Sequence, residues 1–250
     1  MSSELLKTGH DEVRRHEAVN SVSFYQMLNL KRINMSHKLS AATPAYSGVE
    51  GIQIKNLKCI EKGDSCNQTL ISMTNHIGTH VDVPYHFIQS GKTITDYDCD
   101  DWHFLHCCLI DCFCEPGALI NSESLLLAKP NFACDLLLIR TYFERFRGQA
   151  IYWEHSPIFH ENLGGYFEEN FPNLKAIALD TISLSSLDDR EMGRAAHRSI
   201  LGRDIRIFED VAMQHIESQL REVWALPLLL ENADGAQVTM IGFCELHEKT

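Results

Sequence analysis

Asn75-His76-Ile77-Gly78-Thr79-His80-Val81-Asp82-Val83-Pro84-Tyr85-His86 places three imidazoles and a carboxylate within eleven residues, at the spacing His-x3-His-x-Asp-x3-His. Neutral imidazole nitrogen and carboxylate oxygen are common ligands of zinc, manganese and other borderline divalent ions. His80 and Asp82 are two apart, so on an extended strand they share a face. The Gly78-Thr79 pair permits a bend that returns His76 to the same point. A helix is opposed by Gly78, by the β-branched Thr79, Val81 and Val83, and by Pro84. The spacing therefore predicts a loop feeding a short strand that Pro84 closes. His76, His80 and Asp82 would be metal ligands, with His86 just beyond them to act on whatever the metal holds. Thirteen histidines in 250 residues cluster somewhere by chance, but three with an aspartate on a non-helical segment argue for a site.

Length and composition set the frame around this stretch. A chain of 250 residues suffices for one large α/β domain, or at most two small ones. Its 44% hydrophobic and 22% charged residues are ordinary for a soluble globular protein. A formal net charge of -12 argues against nucleic acid as a partner, because phosphate binding needs clustered Lys and Arg. It does not demand a cationic substrate, since acidic surfaces mainly provide solubility. Nine cysteines, four of them Cys107, Cys108, Cys112 and Cys114, show no repeated Cys-x2-Cys pair. They read as free thiols in a reducing compartment. The polar opening Met1-Ser2-Ser3-Glu4-Leu5-Leu6-Lys7 lacks the apolar stretch of a signal peptide. No run approaches the roughly 20 apolar residues of a membrane span, so the expectation is a cytoplasmic protein.

Strand-like segments are expected at Gly51–Leu57, Thr69–Met73, Val81–Val83, His106–Phe113, Asp135–Arg140, Ala176–Asp180, Ile205–Phe208 and Val238–Phe243. Ser122–Leu127, Glu161–Phe171 and Val211–Val223 read as helices. In the last, Val211, Met213, Ile216, Leu220 and Val223 recur at near-helical spacing. Residues 1–30 read as an N-terminal helical arm whose Leu5, Leu6, Val19, Val22, Phe24 and Leu28 need a surface to cover. Residues 31–250 form the main domain. Strands mixed with fewer helices indicate an α/β class, a single compact domain with a mixed sheet, whose topology periodicity alone does not fix.

The string His-x-Gly-Thr-His-x-Asp-x-Pro-x-His resembles the signature of the cyclase-like metal-dependent hydrolases, a family that includes bacterial kynurenine formamidase (arylformamidase) and isatin hydrolase. Flanking stretches resemble the family in the right order. Ser36–Ser40 and Thr43–Gly48 look like its N-terminal segment, and Leu138–Thr141 like its central strand. Ala178–Ser183 is similar to its Gly-Ile-Asp-Thr-x-Ser stretch, and Leu226–Leu228 with Ala233–Gly235 to its C-terminal hairpin. The resemblance implies the cyclase-like, swivelling β/β/α fold. It also implies a second pair of ligands, a later His and a Glu twelve positions on, and His197 and Glu209 stand at that spacing. Charged residues mostly sit in solvent, so in isolation this pair would read as a surface contact; order and spacing reverse that.

On this reading the cofactor is a divalent metal, one or two ions per subunit, Zn²⁺ with Mn²⁺ as the other choice. Asp82 would bridge two ions, and His86 would protonate the leaving amine. By resemblance Tyr46 packs on an aromatic or heterocyclic small-molecule substrate; as an amphipathic aromatic after Pro44 it reads equally as a half-buried loop residue. The resemblance also implies a homo-oligomer, most simply a dimer. The sequence departs from the family pattern where Tyr46 replaces a usual Trp, Ser47 a proline, Val49 an acidic residue and Thr239 an Arg. None removes a ligand, and all bear on the substrate pocket. The activity implied is hydrolysis of an amide, with arylformamidase first. Hydrolysis of another cyclic amide or lactone, as in isatin hydrolase, is the alternative. A metal- or metabolite-binding homologue without turnover is the second, against which stands the presence of every ligand and His86.

Overall fold

Leu136-Leu137-Leu138-Ile139 and Ala176-Ile177-Ala178-Leu179 are unbroken apolar runs, the pattern of parallel strands covered on both faces. The computed structural model describes residues 30–48 and 51–245, and there both runs are strands buried at the centre of the molecule. The helical arm expected over residues 1–30 lies, apart from Leu30, outside the described residues.

The strands in chain order are β1 Leu30–Asn34, β2 Gln53–Lys58, β3 Gln68–Ser72, β4 His80–Asp82, β5 His103–Phe104, β6 Cys107–Asp111, β7 Leu119–Ile120, β8 Leu136–Arg140, β9 Ile158–Phe159, β10 Ala176–Leu179, β11 Arg206–Glu209, β12 Leu220–Pro227 and β13 Gly235–Glu245. Nine of them form one mixed sheet in the order β5-β12-β13-β4-β11-β10-β8-β6, with β1 also paired to β13. Strands β6, β8, β10 and β11 run parallel to one another. From β11 outward through β4, β13 and β12 to β5 every pairing is antiparallel, as is that of β1. The expected mixed sheet in a single α/β domain is what the chain builds.

The pleat divides the core in two. Leu136, Leu138, Ala176, Ala178 and Phe208 join Val81, Val83, Phe104, Val223 and Met240 on one face. Leu137, Ile139, Ile177, Leu179 and Ile207 point the other way, against Leu125, Phe167, Ala196 and Ile200 of the covering helices Ser122–Leu127, Leu163–Asn170 and Arg190–Leu201. Each large side chain buried this way contributes about 1.5–3 kcal/mol. That outweighs any one polar contact and fixes the register of the strands that carry the candidate ligands. Among the described residues no helix is long and apolar enough to cross a membrane. All nine cysteines are free thiols.

Two elements differ from the sequence reading. Val211–Val223 is not a helix. Its backbone donors are taken by distant acceptors: Val211 N by Leu179 O, Ala212 N by Met35 O, and Met213 N and Gln214 N by Glu144 Oε2. The apolar stripe is buried as expected, but through an irregular crossing that then becomes β12. Conversely, Arg190–Leu201 is a helix the sequence reading passed over. Asp189 caps it by accepting from Met192 N at 3.0 Å. Its buried stripe, Gly193, Ala196, His197, Ile200 and Leu201, has helical spacing but only two large apolar residues.

Strands β2 and β3 stand apart as a two-stranded antiparallel ribbon, every strand residue of which is exposed. The ribbon is inserted between the Tyr46–Gly48 turn and Asn75-His76.

Candidate active site

Strand β4 is three residues long, fully buried, and flanked by β11 and β13. Its register sets His80 opposite Glu209 on one side and opposite Gln237 on the other; Asp82 stands opposite Ile207 and Gly235. Val81 points into the core, so His80 and Asp82 share the opposite face, as their spacing requires. Pro84 begins the turn Pro84–His86 that ends the strand and carries His86 back over the same face. Gly78, at φ 67°, makes the bend that brings in His76. His197 enters from the Arg190–Leu201 helix and Glu209 from the end of β11.

The five expected ligands therefore converge. His76 Nδ1 lies 2.8 Å from Asp82 Oδ1, and His80 Nε2 lies 3.4 Å from the same oxygen. His197 Nε2 is 3.5 Å from Asp82 Oδ2 and 3.3 Å from Glu209 Oε1, while His80 Nε2 is 3.4 Å from Glu209 Oε2. Asp82 thus touches both donor groups, one oxygen toward each. His80, Asp82, His197 and Glu209 are each no more than 4% exposed.

Each imidazole turns one nitrogen toward this centre because its other nitrogen is held by a scaffold acceptor. His80 Nδ1 donates to Gly78 O at 2.8 Å, and His197 Nδ1 to Gly193 O at 2.7 Å. His76 Nε2 donates to Asp234 Oδ2 at 2.9 Å. Three imidazole nitrogens and two carboxylates, with no Lys or Arg paired to those carboxylates among the described residues, form a donor set suited to a borderline divalent cation. The electrostatics agree. Burial works against charge on His76 and His197, yet the neighbouring carboxylates raise them to about 9 and about 10. Burial alone would raise Asp82, but His76, His197 and His80 pull it well below the usual carboxylate range. Without an ion, protons supply the positive charge these carboxylates require.

His86 adjoins these donors, and with His76 and Asp234 it makes a third, more open grouping of ligand atoms. Its ring stacks on His76 with centroids 4.0 Å apart, and Nδ1 lies 2.7 Å from Asp234 Oδ2. Tyr46, half-buried, lines the same cavity of about 250 Å³, together with Phe87, Ile182, Ser185, Arg190 and Arg194. All seven residues singled out from the sequence are thus brought together. Asp234 was missed as a side chain of the site; Asp-Gly after an apolar hairpin strand reads simply as a turn. Also missed was the support behind the ligands. Asp210, next to Glu209, binds Arg147 through two contacts of 2.8 Å and takes Tyr152 Oη at 2.7 Å, while its carbonyl accepts Thr79 Oγ1 at 2.6 Å. That network ties the residue before His80 to the residue after Glu209.

The family model Cyclase ("Putative cyclase") matches residues 33–186. A kynurenine formamidase of Bacillus anthracis is 27% identical over 86% of this chain and 98% of its own length. One of Bacillus mycoides (strain KBAB4) is 30% identical over 72% and 82%. In structure, isatin hydrolase A from Labrenzia aggregata superimposes with a TM-score of 0.75 over 88% of this chain and 96% of that one, at 18% identity, which shows a shared fold. With more than half of the sequence matched by the family model, and relatives aligned along most of both chains, this protein belongs to the Cyclase family.

Proposed function

We propose that this chain is a metal-dependent amidohydrolase, an arylformamidase that cleaves N-formylkynurenine to kynurenine and formate. The observation that carries the reading is the pairing of two things in one cavity: the donor set of His76, His80, Asp82, His197 and Glu209, and His86 stacked on His76. The name borne by relatives at 27–30% identity directs the choice of substrate.

A zinc or manganese ion on these donors supplies a Lewis acid for a carbonyl and a water that ionises near neutral pH. Everything else falls to the protein. His86 keeps its proton on Nδ1, fixed by Asp234, so Nε2 is free to accept a proton from the nucleophile and to hand it to the departing amine. Tyr46 and Phe87 give the cavity apolar walls for an aromatic ring, and a volume of about 250 Å³ suits a substrate with one ring. Arg190 and Arg194 line the same space and offer a cation to the carboxylate of an amino-acid substrate.

The test is hydrolysis by the zinc- or manganese-loaded protein of N-formyl-L-kynurenine, isatin and simple lactones. Formate release from N-formyl-L-kynurenine alone supports the proposal. Ring opening of isatin or a lactone in its place moves the substrate to cyclic amides or esters. Turnover of none of them points to the binding protein without catalysis.

A further inference from the structure

Asp234 lies in the turn between β12 and β13, 158 residues from His76 and 148 from His86. Its carboxylate meets three side chains of the site. Oδ1 accepts from Asn75 Nδ2 at 2.6 Å, and Oδ2 faces both His76 Nε2 at 2.9 Å and His86 Nδ1 at 2.7 Å. One carboxylate oxygen has two lone pairs, enough for two N–H donors. Asn75 Nδ2 also lies 3.2 Å from Gly235 O. Asn75 Nδ2 lies at the same 3.2 Å from His76 Nε2, but the Asp234 carboxylate can only accept, so the shorter 2.9 Å contact makes His76 Nε2 its donor. The turn itself is held down, because Val83 N donates to Asp234 O at 3.1 Å. No Lys or Arg is paired with Asp234 among the described residues.

The geometry points to Asp234 as the positioning residue that sets the tautomers of His76 and His86 together through one oxygen. It holds a proton on His76 Nε2, so that Nδ1 is the nitrogen turned toward Asp82 and the one that would give up its proton to an ion. It puts the His86 proton on Nδ1, which presents a bare Nε2 to the cavity. The inference rests on the proposed role of His86 in proton transfer. It adds that the ligand His and the proton-transfer His are oriented by the same atom, so they fail together when that atom is lost.

Asp234→Asn is the decisive variant, because it keeps the shape but can turn an N–H₂ toward the two rings. In the zinc-loaded protein, ¹⁵N spectra of the histidine side chains should show a protonated Nδ1 and bare Nε2 on His86, with the reverse in the variant. Zinc affinity, read by competition with a chromophoric chelator, should fall about 10–100-fold, the usual loss when a partner of a metal-bound histidine is removed. Turnover should fall about 10²–10⁴-fold with little change in KM. Asp234→Ser serves as a second variant if the first is poorly soluble, with the same affinity loss expected. A wild-type His86 tautomer together with wild-type zinc affinity would overturn the inference. So would a drop of one whole ion per chain with the remaining affinity unchanged, since that would make Asp234 a ligand with His76 and His86. If His86→Ala keeps full turnover, the proton-transfer reading fails, while the spectra and zinc affinity still decide the role of Asp234.

Discussion

Asp82 is the side chain that the two donor groups share, one oxygen toward His76 and His80 and the other toward His197. Asp82→Ala should therefore be the most damaging ligand change, lowering the content of both ions in elemental analysis; two ions retained per chain would show that it bridges nothing. His86→Ala should keep the metal and lose about 10²–10⁴-fold in turnover. The metal-free protein carries its own pH signature. A histidine raised above its unfolded value near 6.5 contributes stability that is complete below about pH 6.5. For His76 and His197 that contribution is lost as the pH rises through about 9 and about 10. Asp82, held low, contributes stability that is present above roughly pH 4 and lost on acidification. The Tm of metal-free protein should therefore be highest between these limits, and zinc affinity should climb with pH toward 9 as protons leave the nitrogens. A Tm that does not change between pH 7 and 10 would contradict the pairing. His76, His80, Asp82 and His86 were legible because short spacing implies short distance, whereas His197 and Glu209 were legible only through the family resemblance. Asp234 was not, because a single Asp in a turn carries no mark of what lies 158 residues upstream.

Among the elements, β4 decides the most with the fewest residues. Its neighbours press so closely that Gly235, opposite Asp82, has no room for a side chain: a Cβ there would lie 2.5 Å from His76 Cε1 and 2.7 Å from Val81 O. Gly235→Ala should cost about 1–3 kcal/mol in a denaturant melt and should weaken zinc binding as well, since the ring it displaces is a donor. Gly193 is as tight against Ser185, with a Cβ placed 2.2 Å from Oγ. Gly193→Ala should destabilise the fold to a similar degree and disturb His197, whose Nδ1 is bonded to the carbonyl of that same residue. Wild-type melts and zinc affinity for both variants would show that the close approach relaxes freely. Buried parallel strands were legible as apolar runs because both faces are covered. The Val211–Val223 crossing was not: its stripe fits a helix, and only the distant acceptors Leu179 O, Met35 O and Glu144 Oε2 deny it one. The Arg190–Leu201 helix was hidden for the opposite reason, a stripe of Gly, Ala and His where large apolar residues are the usual sign.

For the whole molecule, the exposed ribbon is the feature that needs a partner. Ile54 faces Ile71 across it, and these two with Leu57 and Leu70 are each about half exposed. A lone two-stranded ribbon is marginal in water, and Ile54 and Ile71, paired on one face of it, are apolar groups that a second copy would cover. We propose a homodimer, the commonest closed assembly; light scattering at low concentration should find no stable species at the 28.5 kDa chain mass. The scaffold also holds its histidines with two grades of permanence. His80 and His197 are oriented by main-chain carbonyls, Gly78 O and Gly193 O, which no codon change can delete. His76 and His86 depend on one side chain at the tip of a hairpin, which a single point mutation removes. A single codon change at Asp234 would therefore loosen His76 and His86 together while His80 and His197 stay held, so damage to this cluster would arrive in halves rather than ring by ring.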